Sequence, residues 1–139
     1  MAAHRHVVGV VVGVDVGDGE PELLVAAATE IQVRRADALD VVAATLPIPY
    51  AAWLHAVDLD GDGRPELVVS VHEDETTYDV ESLLLWNGPD VLSLDRTTRL
   101  PLGGGMGATS ADLDGDGRPE LILNRTVAGP TSCWKEFPV

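Results

Sequence analysis

The stretch DLDGDGRPEL occurs twice in this sequence without a change, at residues 58–67 and 112–121. In each copy three aspartates alternate with other residues, and a glycine follows the second and the third aspartate. The two copies begin 54 residues apart, at Asp58 and Asp112. An active site is normally unique, so an exact duplication of this kind indicates a repeated structural unit.

A third, shorter copy precedes these two. Residues 15–23 read DVGDGEPEL, which matches the repeated stretch after the loss of one residue at the position of the middle aspartate. The glutamates of the three copies, Glu22, Glu66 and Glu120, are separated by 44 and then 54 residues. This spacing suits a propeller blade or a similar four-stranded unit. We therefore expect three units, at about residues 7–50, 51–104 and 105–139.

The segments between the acidic stretches have the composition of short strands. They are rich in Val, Leu and Thr and are separated by Gly, Pro, Asn and Asp, which is typical of strands joined by tight turns. No run of ten or more residues follows a helical period convincingly. The sequence predicts an all-β fold in one repeat region, residues 1–139, built of tandem four-stranded antiparallel blades of a β-propeller. Only about two and a half blades are present, so we expect a longer chain or a homo-oligomer to complete the propeller.

Composition excludes several classes of partner. The chain of 139 residues has 23 acidic and 9 basic residues and a formal net charge of −14, which disfavours binding to nucleic acid or to an anionic membrane. Its one cysteine, Cys133, excludes an intrachain disulfide. We interpret the apolar run at residues 7–14 as a buried strand and see no leader, because a small-residue cleavage site is missing. No run is long enough to cross a bilayer, so membrane insertion is not expected.

The acidic stretches have the chemistry of a metal site. Carboxylates at positions 1, 3 and 5 of a tightly turning loop can converge on one point, where they repel each other unless a cation binds. Calcium accepts six to eight oxygen ligands in flexible geometry and is therefore favoured over magnesium. An EF-hand begins with a similar pattern, but its bidentate glutamate at position 12 is replaced here by Val69 and by Leu123.

The pattern of strand, DxDGDGxxE loop and strand resembles the FG-GAP/VCBS calcium-binding repeat, which forms blades of integrin-α-like β-propellers in secreted and cell-surface proteins. The family binds calcium through the side chains at loop positions 1, 3, 5 and 9 and through the backbone carbonyl at position 7. The resemblance implies one site at Asp58, Asp60, Asp62, the Arg64 carbonyl and Glu66, and a second at Asp112, Asp114, Asp116, the Arg118 carbonyl and Glu120. Glutamate at position 9 departs mildly from the aspartate that the family often has.

The first copy of the loop is damaged. It keeps Asp15, Asp18, Glu22 and the carbonyl of Glu20, but it lacks the carboxylate at position 3. We expect this third site to bind calcium weakly or not at all.

Nothing in the sequence indicates catalysis. The histidines, at His4, His6, His55 and His72, form no recognisable cluster, and His55 is expected to pack or to form a hydrogen bond. The expected function is a noncatalytic, secreted or cell-surface module for adhesion or for recognition of a protein or glycan ligand, with structural calcium. A lectin-like propeller that stacks sugars on tryptophans and an accessory domain of a larger secreted enzyme are the alternatives. Core packing is the favoured role for Trp53, Trp86 and Trp134.

Overall fold

The fold is all-β, as the sequence predicts. The computed structural model describes residues 9–14, 19–87, 94–101, 103–126 and 132–137, and this part contains strands and turns but no helix. It therefore contains no helix that could cross a membrane. The strands, numbered β1 to β11 in chain order, are Gly9–Val14, Glu22–Ala26, Ile31–Arg35, Ala38–Leu46, Ala51–Val57, Glu66–Val71, Ser82–Leu85, Thr97–Leu100, Gly105–Ala111, Glu120–Thr126 and Ser132–Phe137.

The strands form three antiparallel sheets in which neighbours in sequence are neighbours in space. The first sheet has the order β1-β2-β3-β4, the second β5-β6-β7-β8 and the third β9-β10-β11. The first strands of successive sheets contact each other, β1 with β5 and β5 with β9. Each of the two intact acidic stretches connects the first and second strands of a sheet, β5 to β6 and β9 to β10.

Two apolar cores join the three sheets. The core between the first and second sheets contains Leu24, Ala26, Ile31, Val33, Leu46, Ile48, Ala51, Leu54, Leu67, Val69, Val71 and Leu85. The core between the second and third sheets contains Leu59, Val68, Leu84, Leu100, Leu121 and Leu123. The second sheet is thus covered on both faces.

Strand β6 belongs to both cores. Successive side chains of a strand point to opposite faces, so Leu67 and Val69 contact the first sheet while Val68 contacts the third. All residues of β6 are buried, which explains why its sequence, ELVVSV, is almost continuously apolar. Strand β4, at the edge of the first sheet, is instead largely exposed.

The third sheet approaches the second closely at Gly105, the first residue of β9. A Cβ atom at this position would lie 2.5 Å from Oγ of Ser82 in β7. Only glycine leaves space for that hydroxyl, which also accepts a hydrogen bond from the backbone N–H of Val71 at 3.0 Å. Gly105 therefore sets the distance between the two sheets at this end.

Candidate metal centre

The loop between β5 and β6 turns tightly because two glycines adopt left-handed backbone angles. Gly61 and Gly63 have φ of 79° and 84°, which residues with a Cβ rarely adopt. The carboxylate of Asp58 accepts hydrogen bonds from the N–H groups of both glycines, each at 2.9 Å. The loop is therefore wound around the first aspartate of the repeated stretch.

The loop between β9 and β10 has the same construction. Gly115 and Gly117 have φ of 77° and 91°. Their N–H groups donate to the carboxylate of Asp112 at 2.8 and 2.9 Å. The identical sequences thus adopt one conformation at two places in the chain.

Each loop gathers four carboxylates. One oxygen atom from each carboxylate lies within 4.8 Å of the oxygens of the other three, in two clusters: Asp58, Asp60, Asp62 and Glu66, and Asp112, Asp114, Asp116 and Glu120. Two ligands at about 2.4 Å from one calcium ion can be up to about 4.8 Å apart. Both clusters could therefore hold a metal ion, and the structure brings together every side chain that the sequence assigned to the two intact sites.

Glu66 is the buried member of the first cluster. Its side chain is 0% exposed, its Oε2 accepts a hydrogen bond from the backbone N–H of Leu59 at 2.7 Å, and its Oε1 is buried with no hydrogen-bond partner in the described part of the chain. A buried carboxylate oxygen without a partner is unfavourable, and a cation in the cluster would remove that cost.

The pKa values of this cluster indicate the same cost of burying a charged carboxylate. Burial raises the pKa of Glu66 to about 7, an effect that the Leu59 N–H only partly offsets and that the charges of Asp60, Asp62 and Asp58 increase. Burial also raises the pKa of Asp60, and the carboxylate of Asp62 adds to the effect. The loop between β5 and β6 thus disfavours full ionisation of its carboxylates when no cation is present.

The second cluster repeats this arrangement in a more exposed setting. Glu120 is 5% exposed, and its Oε2 accepts a hydrogen bond from the backbone N–H of Leu113. The three aspartates of this loop are exposed. The buried glutamate is therefore the shared element of both loops, held in each case by the backbone of the residue after the first aspartate.

The two loop arginines are positioned by the third aspartate of each loop. The N–H groups of Arg64 and Arg118 donate to Asp62 and Asp116, both at 2.8 Å. The use of their carbonyl oxygens as ligands stays a prediction.

The damaged first loop is described only in part. Asp15 and Asp18 lie outside the described residues. Glu20 is exposed, and Glu22, the first residue of β2, is 3% exposed, so it is buried like Glu66 and Glu120. Calcium binding at this loop stays a prediction.

His55 and Ser110 form a contact that the sequence did not indicate. His55 Nε2 and Ser110 Oγ lie 3.1 Å apart, and burial lowers the pKa of His55. The pair connects β5 to β9 between residues that are 55 positions apart, which is why no local motif could reveal it. The sequence left packing and a hydrogen bond open for His55, and the structure shows the hydrogen bond, which joins the second sheet to the third.

The tryptophans differ in their surroundings. Trp86 packs against the second core, and its Nε1 donates to Thr98 Oγ1 at 2.9 Å, so core packing is confirmed for this residue. Core packing is wrong for Trp53, which is 47% exposed and whose ring lies against the backbone of Gly107 in β9 instead of entering either core. Trp134, Cys133, His4 and His6 fall outside the described side chains.

Comparison with known proteins adds no family to this geometry. Neither the protein-family models nor the curated proteins gave a match to the chain.

Proposed function

We propose that this chain is a noncatalytic calcium-binding β-propeller repeat module in which calcium holds the DxDGDGxxE loops in place. The single observation that carries the proposal is Glu66, a fully buried carboxylate with one unpartnered oxygen beside three clustered aspartates. Exposed acidic turns can form without a metal, but they do not bury a charged group at the base of the loop. A divalent cation supplies the missing partner and neutralises the cluster.

Calcium suits this site better than other common ions. The clustered ligands are all carboxylate oxygens, which favour hard cations over zinc or copper. Calcium accepts irregular ligand geometry, whereas magnesium requires an octahedron and retains water. The predicted Arg64 carbonyl and water molecules would complete the shell of ligands.

A propeller arrangement accounts for the stacking of the sheets. The contacts between β1 and β5 and between β5 and β9, together with the two cores between the sheets, support this proposal, because a propeller places the first strands of its blades around one axis. The acidic loops would then lie at one end of the blades. We propose adhesion or recognition of a protein or glycan as the role of such a scaffold, in a secreted or cell-surface setting where millimolar calcium would fill sites of low affinity.

A lectin-like role is the second candidate, and Trp53 is the residue that favours it. Its half-exposed indole beside Gly107 could stack on a sugar ring, whereas Trp86 is already packed against the core. Glycan-array binding that is lost in Trp53→Ala and retained in Trp86→Phe would support this candidate. A role as an accessory domain of a larger enzyme has no such residue in its favour.

The calcium proposal is tested by calorimetric titration. We expect about two sites per chain, loss of one site in Asp60→Ala, loss of the other in Asp114→Ala, and no change in Asp40→Ala, an exposed aspartate on β4. Absence of heat and of thermal stabilisation at millimolar calcium would contradict the proposal. Equal uptake by Asp60→Ala, Asp114→Ala and the unchanged protein would contradict the assignment of the residues.

A further inference from the structure

The second and third acidic loops, which begin at Asp58 and Asp112, differ in what covers their leucine. Leu59 and Leu113 occupy the same position in identical sequences, directly after the first aspartate. Leu59 is 0% exposed because it lies in the core shared with the third sheet, whereas Leu113 is 54% exposed. Within the described part of the chain, the same side chain that joins two sheets in one repeat is therefore largely uncovered in the next.

Ile122 in the third sheet and Val68 in the second sheet show the same contrast in burial. Ile122 of β10 corresponds to Val68 of β6, which is fully buried against the third sheet. Ile122 is only partly buried, because it points away from the second sheet while Leu121 and Leu123 point toward it. Leu113 and Ile122 thus define the outer face of the third sheet.

The first sheet presents the matching surface. Leu24 and Ala26 of β2 point into the first core, so Leu23 and Val25 point to the opposite side, where both are partly exposed. Leu23 and Val25 correspond in the repeat to Leu121 and Leu123, the residues that cover Leu59. We call this the outer face of the first sheet.

We propose that the outer face of the third sheet, centred on Leu113, binds the outer face of the first sheet of a second copy of this chain. The contact between the second and third sheets supports this arrangement. There Leu59 shares a core with Leu121 and Leu123, and the repeat equivalents of these three residues are Leu113, Leu23 and Val25. Such an interface is heterologous, and two copies that satisfy both faces form a closed pair. That pair has six sheets, within the four to eight blades of known propellers.

The acidic loop couples this association to metal. Leu113 follows Asp112, precedes Asp114 and donates its N–H to Glu120, so a cation bound by these carboxylates fixes the position of its side chain. Each bound divalent ion also removes two negative charges from a chain of net charge −14, which reduces the repulsion between copies. This coupling, unlike the match of the two faces, rests on the proposed calcium function.

Sedimentation velocity over a range of protein concentrations at about 0.15 M salt tests the proposal. We expect the unchanged protein to shift from its 14.7 kDa monomer to a pair in calcium. Leu113→Asp and Leu23→Asp should each weaken association about a hundredfold or more, because a closed pair of identical variants loses two buried leucine contacts worth about tenfold or more each. Met106→Asp, an exposed apolar residue at the opposite end of β9, is the matched control and should associate normally.

A mixture of the two variants distinguishes the orientation. Leu113→Asp retains an intact first-sheet face and Leu23→Asp an intact third-sheet face, so an equimolar mixture should associate more strongly than either variant alone. Association of Leu23→Asp at the unchanged strength would show that two third-sheet faces bind each other and would overturn the proposal. A monomer at every concentration of the unchanged protein in calcium would overturn it as well.

Calorimetry of Leu113→Asp separates this proposal from the calcium function. We expect this variant to bind calcium at both loops and to melt like the unchanged monomer, because the substituted side chain is exposed. Asp114→Ala should lose association, whereas Asp60→Ala should retain it. If the unchanged protein binds no calcium but still forms pairs through these faces, the calcium function is contradicted. The interface is then supported, without its dependence on metal.

Discussion

The carboxylate of Glu66 accepts a hydrogen bond from the backbone N–H of Leu59 at 2.7 Å across seven positions of the chain. Glu66 belongs to the acidic cluster, and Leu59 belongs to the core between the second and third sheets. The acidic cluster is therefore joined by a hydrogen bond to the backbone of a residue of the apolar core.

Replacement of Glu66 by glutamine should separate the cost of the buried charge from its use as a ligand. In chelator at pH 8, Glu66→Gln should raise the free energy of unfolding by about 1 to 3 kcal/mol, since a pKa of about 7 implies a penalty for ionisation. In calcium the same variant should be stabilised less than the unchanged protein. Thermal unfolding in both buffers, with the exposed Glu73→Gln as control, measures the effect. A variant less stable in chelator and unchanged in calcium would contradict this account.

The metal-free protein should become less stable as pH rises from about 4.5 to about 7. The pKa of Glu66 is raised above its usual 4.5 by burial, so the folded state retains a proton that the unfolded state has lost. Stability falls with pH wherever the folded state binds more protons. Chemical unfolding in chelator at successive pH values measures this slope, which should flatten above pH 7 and shrink in Glu66→Gln. The stabilisation that calcium provides should grow over the same interval.

Replacement by alanine should destabilise the protein at Leu59 but not at Leu113. Leu59→Ala creates a cavity in the second core and should cost about 2 to 5 kcal/mol. Leu113→Ala, at the exposed counterpart, should change the stability of the monomer by no more than about 0.5 kcal/mol. Denaturant unfolding at low protein concentration compares the two, and equal losses would contradict the difference in burial.

Gly105 should not tolerate a methyl group. In Gly105→Ala the new Cβ meets Ser82 Oγ at 2.5 Å, and moving that hydroxyl breaks its hydrogen bond with Val71, so we expect a loss of about 1 to 3 kcal/mol. Gly107→Ala is the matched control on the same strand, because its Cβ would meet Trp53 at 3.8 Å, an ordinary contact. Thermal unfolding of both variants measures the effect. A similar loss of stability in each would contradict the close approach of Gly105 to Ser82.

The repeat made much of the fold and site predictable. Three alternating aspartates and two glycines specify a loop conformation locally, and the structure forms it identically at Asp58 and Asp112. The absence of a helical period likewise identified the class of the fold. These features depend on residues that are close in the sequence, which is why one sequence sufficed for them.

Features that depend on contacts between repeats could not be predicted in this way. The contact of His55 with Ser110 and the exposure of Trp53 both follow from how β9 packs beside β5. The burial of Leu59 also requires the third sheet, whose Leu121 and Leu123 share its core. Identical sequences gave Leu59 and Leu113 opposite surroundings, so local pattern alone cannot assign burial to this position.

Strand β6 contributes side chains to both cores, and this has a consequence for how the molecule melts. Loss of the first or the third sheet would expose half of the side chains of β6. Separation of one pair of sheets therefore lowers the stability of the other pair. Leu84 and Leu85 of β7 are divided between the two cores in the same way, so the second sheet couples the first sheet to the third.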